Sequence, residues 1–543
     1  MNVLLLSVQN VRIDKRNKNY NGTEEPGLAA IAGYLQANGH IVKVARIDND
    51  VDHFELIERI SPQLIGISTY DRFFPYQLEI TESIKIRFPE IAICLGGYTA
   101  SYHGYELMER YSFIDYIIKG EGEIALEKLA VSLQEKDGFQ NIGGLIYREN
   151  DVIMENSNTE IVKNLNELPF ANRDIIIDSY INLVQISSSR GCTGHCGFCC
   201  SFDFWKCEQG KRIFRRMDPV RVIDEIEYIV KNIKKTRFTF TDNSFEDPNN
   251  DLIRQKEIAE EIIRRKLCIG YDISYKTNFY KHCTPELLNL LIDSGLFAVF
   301  IGFESGNSED LKLYRKQCTV KDNDKAIEFY KNFEDLNIVL GFINFNAYTD
   351  VNRLKANLDF LEKHGYANDF SYFTSKLAPF KGTSIYDKLQ QDNLLTGSIY
   401  DNGYTFKYIH EEIKSFENYI FSVTQKYKSL KDSRYICSVL PCILTHLKNE
   451  AKFHKNQKVV DLISGMRRLY KEVLADLNVK MSFWLRELIN QLENGWSEEQ
   501  SEKISKYHME DKGIIKKIDD LKIMRNKLYM DLIKIDSAYS ERF

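Results

Sequence analysis

Twice along this chain, short apolar runs alternate with stretches of helical spacing, and a linker separates the two series. In the first series "NVLLLSV", "IVKVARI", "LIGIST", "AICLGG" and "YIIKGEGE" read as strands. Between the first two, "PGLAAIAGYLQANGH" reads as a helix, with Leu28, Ile31, Ala32 and Leu35 on one face and Gly39 near its end. "LIGIST" is short and apolar enough to lie inside a parallel sheet. This alternation argues for a doubly wound α/β sheet, in which ligands bind beyond the carboxyl ends of the strands. Gly66, Gly96, Gly97, Gly120 and Gly122 fall at or near those ends, where a missing side chain lets backbone approach a large flat molecule.

The expected organisation is four-part. Residues 1–136 form the first α/β domain. Residues 137–183 connect, with "GGLIYRENDVIMEN" as a small hairpin and "LNELPFANRD" as an extended linker. Residues 184–390 carry the second series, with "VQISSS", "RFTFTD", "YDISYKTN", "AVFIGFES", "VLGFINF" and "FSYFTSKL" as strands. Six such units predict a partial (β/α)6 barrel, whose chemistry sits at the carboxyl ends of the strands. Residues 391–543 form a helical C-terminal region. From Cys442 onward it has no proline, and "VVDLISGMRRLYKEVLADL" keeps helical apolar spacing.

Composition narrows the function classes. With 43% apolar and 28% charged residues and a net charge of −6, the chain offers no electrostatic case for nucleic acid or an anionic membrane. No apolar run approaches the roughly 18 residues that span a bilayer. "MNVLLLSVQNVRIDK" lacks a basic n-region and a cleavage site, so it reads as a first strand and the cytoplasm is the expected location.

Four of the 11 cysteines crowd into "SSSRGCTGHCGFCC". Cys192, Cys196 and Cys199 form C-x3-C-x2-C directly after the strand "VQISSS". Three thiolates on one compact loop suit an iron–sulfur cluster with one iron left open to a substrate or cofactor. Zinc is the competing reading, but structural zinc prefers paired C-x2-C knuckles supplying four ligands. His195 adjoins Cys196 too closely to complete such a set. Cys200 is an additional thiol, expected to be a bystander.

C-x3-C-x2-C after a strand at the start of a partial barrel resembles the radical SAM superfamily. The resemblance implies that Cys192, Cys196 and Cys199 hold a 4Fe-4S cluster, whose open iron takes S-adenosyl-L-methionine and yields a 5′-deoxyadenosyl radical. It places Phe198 near the adenine. "FTFTDNSFEDP" resembles the segment approaching the methionine moiety, through Asp242 and Asn243. "IGFESGNSEDLKLYRK" resembles the fourth-strand segment, with Glu304 and Ser305 near the cofactor. "KLAPFKGTSIYDKL" resembles the late P-x-x-G-T element. In "YDISYKTN", Lys276 stands where relatives often carry arginine, supplying a cation without the planar fork.

"PGLAAIAGYLQANGHIVKVARID", "LIGIST", "LGGYTAS" and "DYIIKGEGE" resemble, in that order, the cobalamin-binding domains fused ahead of some radical SAM barrels. That implies cobalamin over the strand ends, with Ser68 and Thr69 bonding its tail and Gly96 and Gly97 admitting it. Tyr70, Gly120, Glu121 and Glu123 would face the same crevice. Many such domains carry D-x-H-x-x-G, whose histidine ligates cobalt. Here the segment is "VQNVRIDKRNKNYNG", without histidine, so a base-off cobalamin with no histidine ligand is expected. Tyr70, Asp71 or Arg12 would lie below the cobalt.

Together these resemblances imply a cobalamin-dependent radical SAM enzyme, foremost a C-methyltransferase acting on an unactivated carbon. A radical cyclisation or ring rearrangement is the alternative with the same cofactors. A non-catalytic cobalamin-binding sensor is the alternative of another class. A methylthiotransferase would need a second cluster, and residues 1–135 hold only Cys94. The expected partners are a small-molecule or peptide substrate and an electron donor such as flavodoxin or ferredoxin. Tyr372, Lys376 and Tyr404 are the candidate substrate-pocket residues.

Overall fold

The structure, a computed structural model, describes residues 1–9, 25–47, 52–177, 183–204 and 213–535. Its first sheet has the order β2-β1-β3-β4-β5-β6-β7. The strands are β1 Asn2–Val8, β2 Ile41–Ile47, β3 Leu64–Thr69, β4 Ala92–Gly96, β5 Tyr116–Ile118, β6 Leu145–Glu149 and β7 Val152–Glu155. β1 to β5 pair in parallel, and β5-β6-β7 are antiparallel. The predicted hairpin therefore lengthens the first sheet.

β1 is buried along almost its whole length because helices cover both faces of the sheet. The helix Pro26–Ala37 has proline in its first turn, where no partner for an N–H is lost, and buries Leu28, Ala32 and Leu35 against the sheet. Strand order reverses between β1 and β3, which opens the ligand crevice of this architecture at their carboxyl ends.

The second sheet is parallel, in the order β14-β13-β12-β11-β8. Its strands are β8 Val184–Ile186, β11 Arg237–Phe240, β12 Gly270–Lys276, β13 Leu296–Glu304 and β14 Asn337–Phe342. A two-stranded ribbon, β9 Ser189–Arg190 and β10 Arg215–Arg216, lies beside the cysteine loop. The sixth predicted strand departs from expectation. Phe370–Thr374 of "FSYFTSKL" is a helical turn, and only Lys376 pairs in parallel, with Phe345. Asp369 explains the difference: its side chain accepts from Ser371 N–H and caps the turn.

The C-terminal region is helical after a small hairpin, Leu395–Ser398 with Gly403–Phe406. The helix Gln457–Glu493 runs beside Val351–His364, tied by Asn478 to Glu362 and by Arg486 to Asp359 and Glu362. No described helix is long and apolar enough to cross a membrane.

Candidate functional site

The cysteine loop follows β8 and is fixed at several points. Gly197 N–H donates to Tyr314 O at 2.8 Å, and Gly197 O accepts from Ile385 N–H at 2.9 Å. Gly194 N–H donates to Cys192 Sγ at 3.2 Å. A Cβ on Gly194 would stand 3.3 Å from Cys192 Sγ and 3.9 Å from Cys196 Sγ. Glycine thus keeps clear the space on which two thiols converge, and each of these thiols feels the Cys199 charge. Burial pushes the Cys196 thiol up to about 11, countered by Lys316. Three convergent thiols, a backbone N–H aimed at sulfur and a nearby cation fit an iron–sulfur cluster. Cys200 differs. Its thiol is pushed up to about 12 by burial and then by the Cys199 charge, and its carbonyl accepts from Tyr102 OH of the first domain at 3.1 Å.

The residues predicted around S-adenosylmethionine divide. Phe198 meets Tyr314 edge-on, with ring centroids 5.6 Å apart. Lys276 reaches from β12 to Glu246, at 3.3 Å, and to Thr193 Oγ1 on the cysteine loop. Glu304 ends β13 with φ +66°, a left-handed conformation unusual for a side-chain residue, and pairs with Lys316 at 3.3 Å. Asn243 lines the central cavity described below. Asp242 and Ser305 are occupied otherwise. Asp242 accepts from Ser188 N–H at 3.0 Å, Ser188 Oγ at 2.8 Å and Ser189 Oγ, joining β8 to β11. Ser305 is fully buried and donates to Asn357 and Asp310. Both side chains hold the scaffold of the site.

A cavity of about 330 Å³ lies between the two sheets. Ser68, Tyr70, Gly96, Gly97 and Gly120 line it from the first domain, and Ser187, Ser189 and Asn243 from the second. A Cβ on Gly96 would meet only Ile118 O, at an ordinary 3.9 Å. Gly97 adopts φ +89°, and a Cβ there would lie 2.8 Å from Thr69 O. Small residues at the strand ends and a half-open slot fit the tail and face of cobalamin. Thr69 does not line this cavity. It is fully buried, donates to Gly96 O at 2.7 Å and accepts from Ala100 N–H at 3.0 Å, locking β3 to β4.

Glu121 and Glu123 border the cavity, yet their carboxylates pair with arginines of the ribbon. Arg190 reaches Glu121 at 2.9 Å and also Glu123, and Arg215 reaches Glu121. Their role is thereby one of joining two domains. Local sequence carried no sign of it, because the partners lie 69, 67 and 94 residues away.

At the same strand ends Tyr70 lines the cavity and is pushed up to about 12 by burial and the neighbouring Glu25. Asp71 accepts from Thr99 Oγ1 at 2.6 Å. Arg12 and most of the segment expected to lack a cobalt ligand lie outside the described residues. Among the described residues no histidine lines the cavity. Two aromatic residues missed at the sequence level also line it: Tyr98 packs on Phe204 at 4.5 Å. Nothing in their sequence setting distinguishes them from core aromatics.

The predicted substrate-pocket residues have separate surroundings. Tyr372 is buried, and its hydroxyl accepts from Leu340 N–H at 3.2 Å and meets Ser438 Oγ at 3.3 Å. Lys376 pairs with Glu417 at 3.0 Å and sits 4.8 Å from the Phe406 ring centroid. Tyr404 stacks near His103 and meets Tyr386 edge-on. None lines the cavity between the sheets.

A cysteine loop on one α/β sheet, opposed to a glycine-lined crevice on another, defines a two-cofactor protein. Comparison with known proteins agrees. Residues 18–130 match the B12 binding domain family and residues 186–349 the radical SAM superfamily. The chain belongs to the cobalamin-dependent radical SAM enzymes, with cobalamin, S-adenosylmethionine and a 4Fe-4S cluster as cofactors. It is 24% identical over 371 residues to the anaerobic magnesium-protoporphyrin IX monomethyl ester cyclase of Synechocystis sp., covering 66% of this chain and 72% of that one. It is 24% identical over 387 residues to an uncharacterized methyltransferase of Pyrococcus horikoshii, covering 69% and 80%. The fold is similar to that of the cobalamin-dependent S-adenosylmethionine radical enzyme OxsB. There the TM-score is 0.67 at 19% identity, over 99% of this chain and 81% of that one.

Proposed function

We propose that this enzyme methylates an unactivated carbon of a small-molecule or peptide substrate. The observation that supports the reading is the half-open cavity between the two sheets, lined by Gly96 and Gly97 of the crevice and by Ser187 and Ser189 on the segment that leads into the cysteine loop. When bound, the cluster with S-adenosylmethionine supplies a carbon radical, and cobalamin supplies a transferable methyl group.

The chain's own residues do the placing. Cys192, Cys196 and Cys199 hold the cluster, with Gly194 giving it room. Lys276 and Lys316 set positive charge beside the thiolates. Gly96 and Gly97 admit the corrin, and Ser68 offers a hydroxyl to its tail. Tyr98 and Phe204 wall the cavity with aromatic surface, which excludes water from a reactive site. A one-electron donor such as flavodoxin or ferredoxin completes the reading.

The test is stoichiometry. With labelled S-adenosylmethionine, methylation forms S-adenosylhomocysteine and 5′-deoxyadenosine in a ratio near one, and the product carries labelled methyl. Almost no S-adenosylhomocysteine would overturn it. The second reading, radical cyclisation or rearrangement, is favoured by the similarity to a relative named as a cyclase. It predicts 5′-deoxyadenosine without methyl transfer.

A further inference from the structure

At the opposite end of the second sheet from the cysteine loop, three metal-ligating side chains converge. Cys268 stands on the loop just before β12, at the amino end of that strand. Glu450 and His454 stand four positions apart at the end of the helix Leu440–Phe453, so one helical turn puts them on the same face. The Cys268 sulfur, a Glu450 oxygen and a His454 ring nitrogen lie within 4.8 Å of one another. Tetrahedral zinc needs such atoms roughly 3.5 Å apart, given bonds of about 2.0–2.3 Å. Small side-chain rotations close that difference.

Loop and helix are already in register. His446, one turn before Glu450, lies so close to Gly270 that a Cβ there would stand 2.0 Å from His446 Nδ1. The nearby Lys448 and Lys452 are engaged by Asp335, at 2.8 Å each. A thiolate and a carboxylate carry two negative charges, which a divalent cation cancels. The mixed soft and hard donor set suits zinc. Glu450 is buried, Cys268 half-buried and His454 exposed, so the fourth position faces solvent.

We propose that Cys268, Glu450 and His454 bind one zinc ion between the C-terminal helical region and the amino end of β12, with water in the open fourth position. Binding displaces the Cys268 proton to solvent, and no electron transfer is involved. The site is independent of the cluster and of the methyl-transfer reading.

The test uses the full chain with its iron–sulfur cluster already reconstituted, so that Cys192, Cys196 and Cys199 are occupied. The protein is equilibrated with zinc alone, desalted and assayed for zinc, and its affinity is measured against a competing chelator. Wild type is expected to retain one zinc per chain, and X-ray absorption at the zinc edge to show a single sulfur neighbour. Cys268→Ser and His454→Ala are each expected to weaken binding by at least about 10–100-fold, the loss that outer partners of a metal ligand already cause, with iron content and circular dichroism unchanged. Either variant alone suffices if the other folds poorly. Wild type retaining no zinc, zinc retained equally by both variants, or a zinc with two or more sulfur neighbours would each overturn the proposal.

Discussion

Arg190 and Glu121 meet across the domain boundary, Nη1 to Oε2 at 2.9 Å, with both side chains almost wholly out of solvent. Arg190 belongs to the ribbon that opens the cysteine loop, and Glu121 follows the last parallel strand of the cobalamin sheet. Removing one partner of a buried pair strands the other's charge, at a cost of about 3–5 kcal/mol. Arg190→Met is expected to lower unfolding free energy by that order in urea titrations. Adding Glu121→Gln is expected to cost only somewhat less than the sum of the two single changes, because the two residues share one bond of a network in which Arg190 also holds Glu123 and Glu121 also holds Arg215.

Replacing Cys192, Cys196 and Cys199 together by alanine is expected to remove iron and 5′-deoxyadenosine formation while cobalamin binding persists. Cys200→Ala is expected to keep all three, since Cys200 lies outside the C-x3-C-x2-C spacing and its backbone is tied to Tyr102 of the first domain. Iron analysis and the cleavage assay decide the matter.

Gly96→Val separates binding from folding. Its backbone is extended, and a Cβ there would meet only the Ile118 carbonyl, at an ordinary contact distance of 3.9 Å. Unfolding free energy is expected to change by no more than about 0.5 kcal/mol. Cobalamin affinity is expected to fall because the new methyl groups occupy the crevice. Equal loss of stability and affinity would place Gly96 in the core instead.

In the cobalt(II) state, bound cobalamin is expected to give an electron paramagnetic resonance spectrum without nitrogen superhyperfine splitting. The motive is that no described histidine lines the cavity. A nitrogen triplet would show an imidazole at the lower face.

Burial pushes Asp272 on β12 up to about 6, against the lowering effects of Thr239 and Arg237. Between the ordinary carboxylate range and that value the folded chain holds a proton that the unfolded chain has lost. Stability from this group is therefore present at low pH and lost as pH rises through about 6. From about pH 5 to 7.5 the wild type is expected to lose roughly 1.4 kcal/mol that Asp272→Asn retains. Chemical denaturation at the two pH values measures it.

Much of this molecule was legible in its residues. Apolar runs such as "NVLLLSV" and "LIGIST" announce strands covered on both faces, and C-x3-C-x2-C after β8 announces the cluster loop. Side-chain partnerships were not legible. Glu121 and Glu123 follow a strand end and do line the crevice, but what their carboxylates touch depends on a ribbon up to 94 residues later. Thr69 likewise sits at a strand end, and its hydroxyl is taken by β4. "FSYFTSKL" has strand-like composition, and a single capping aspartate turns it into helix.

Tyr372 has a consequence of another kind. β14 is the outermost strand of its sheet, and Leu340 presents an N–H that β13 cannot accept; the Tyr372 hydroxyl accepts it. An unpaired edge is a template on which a second chain can add a strand. Leu340 and Tyr372 are both buried, so the helical turn that carries the phenol covers this edge, and a covered edge offers a second chain nothing to pair with.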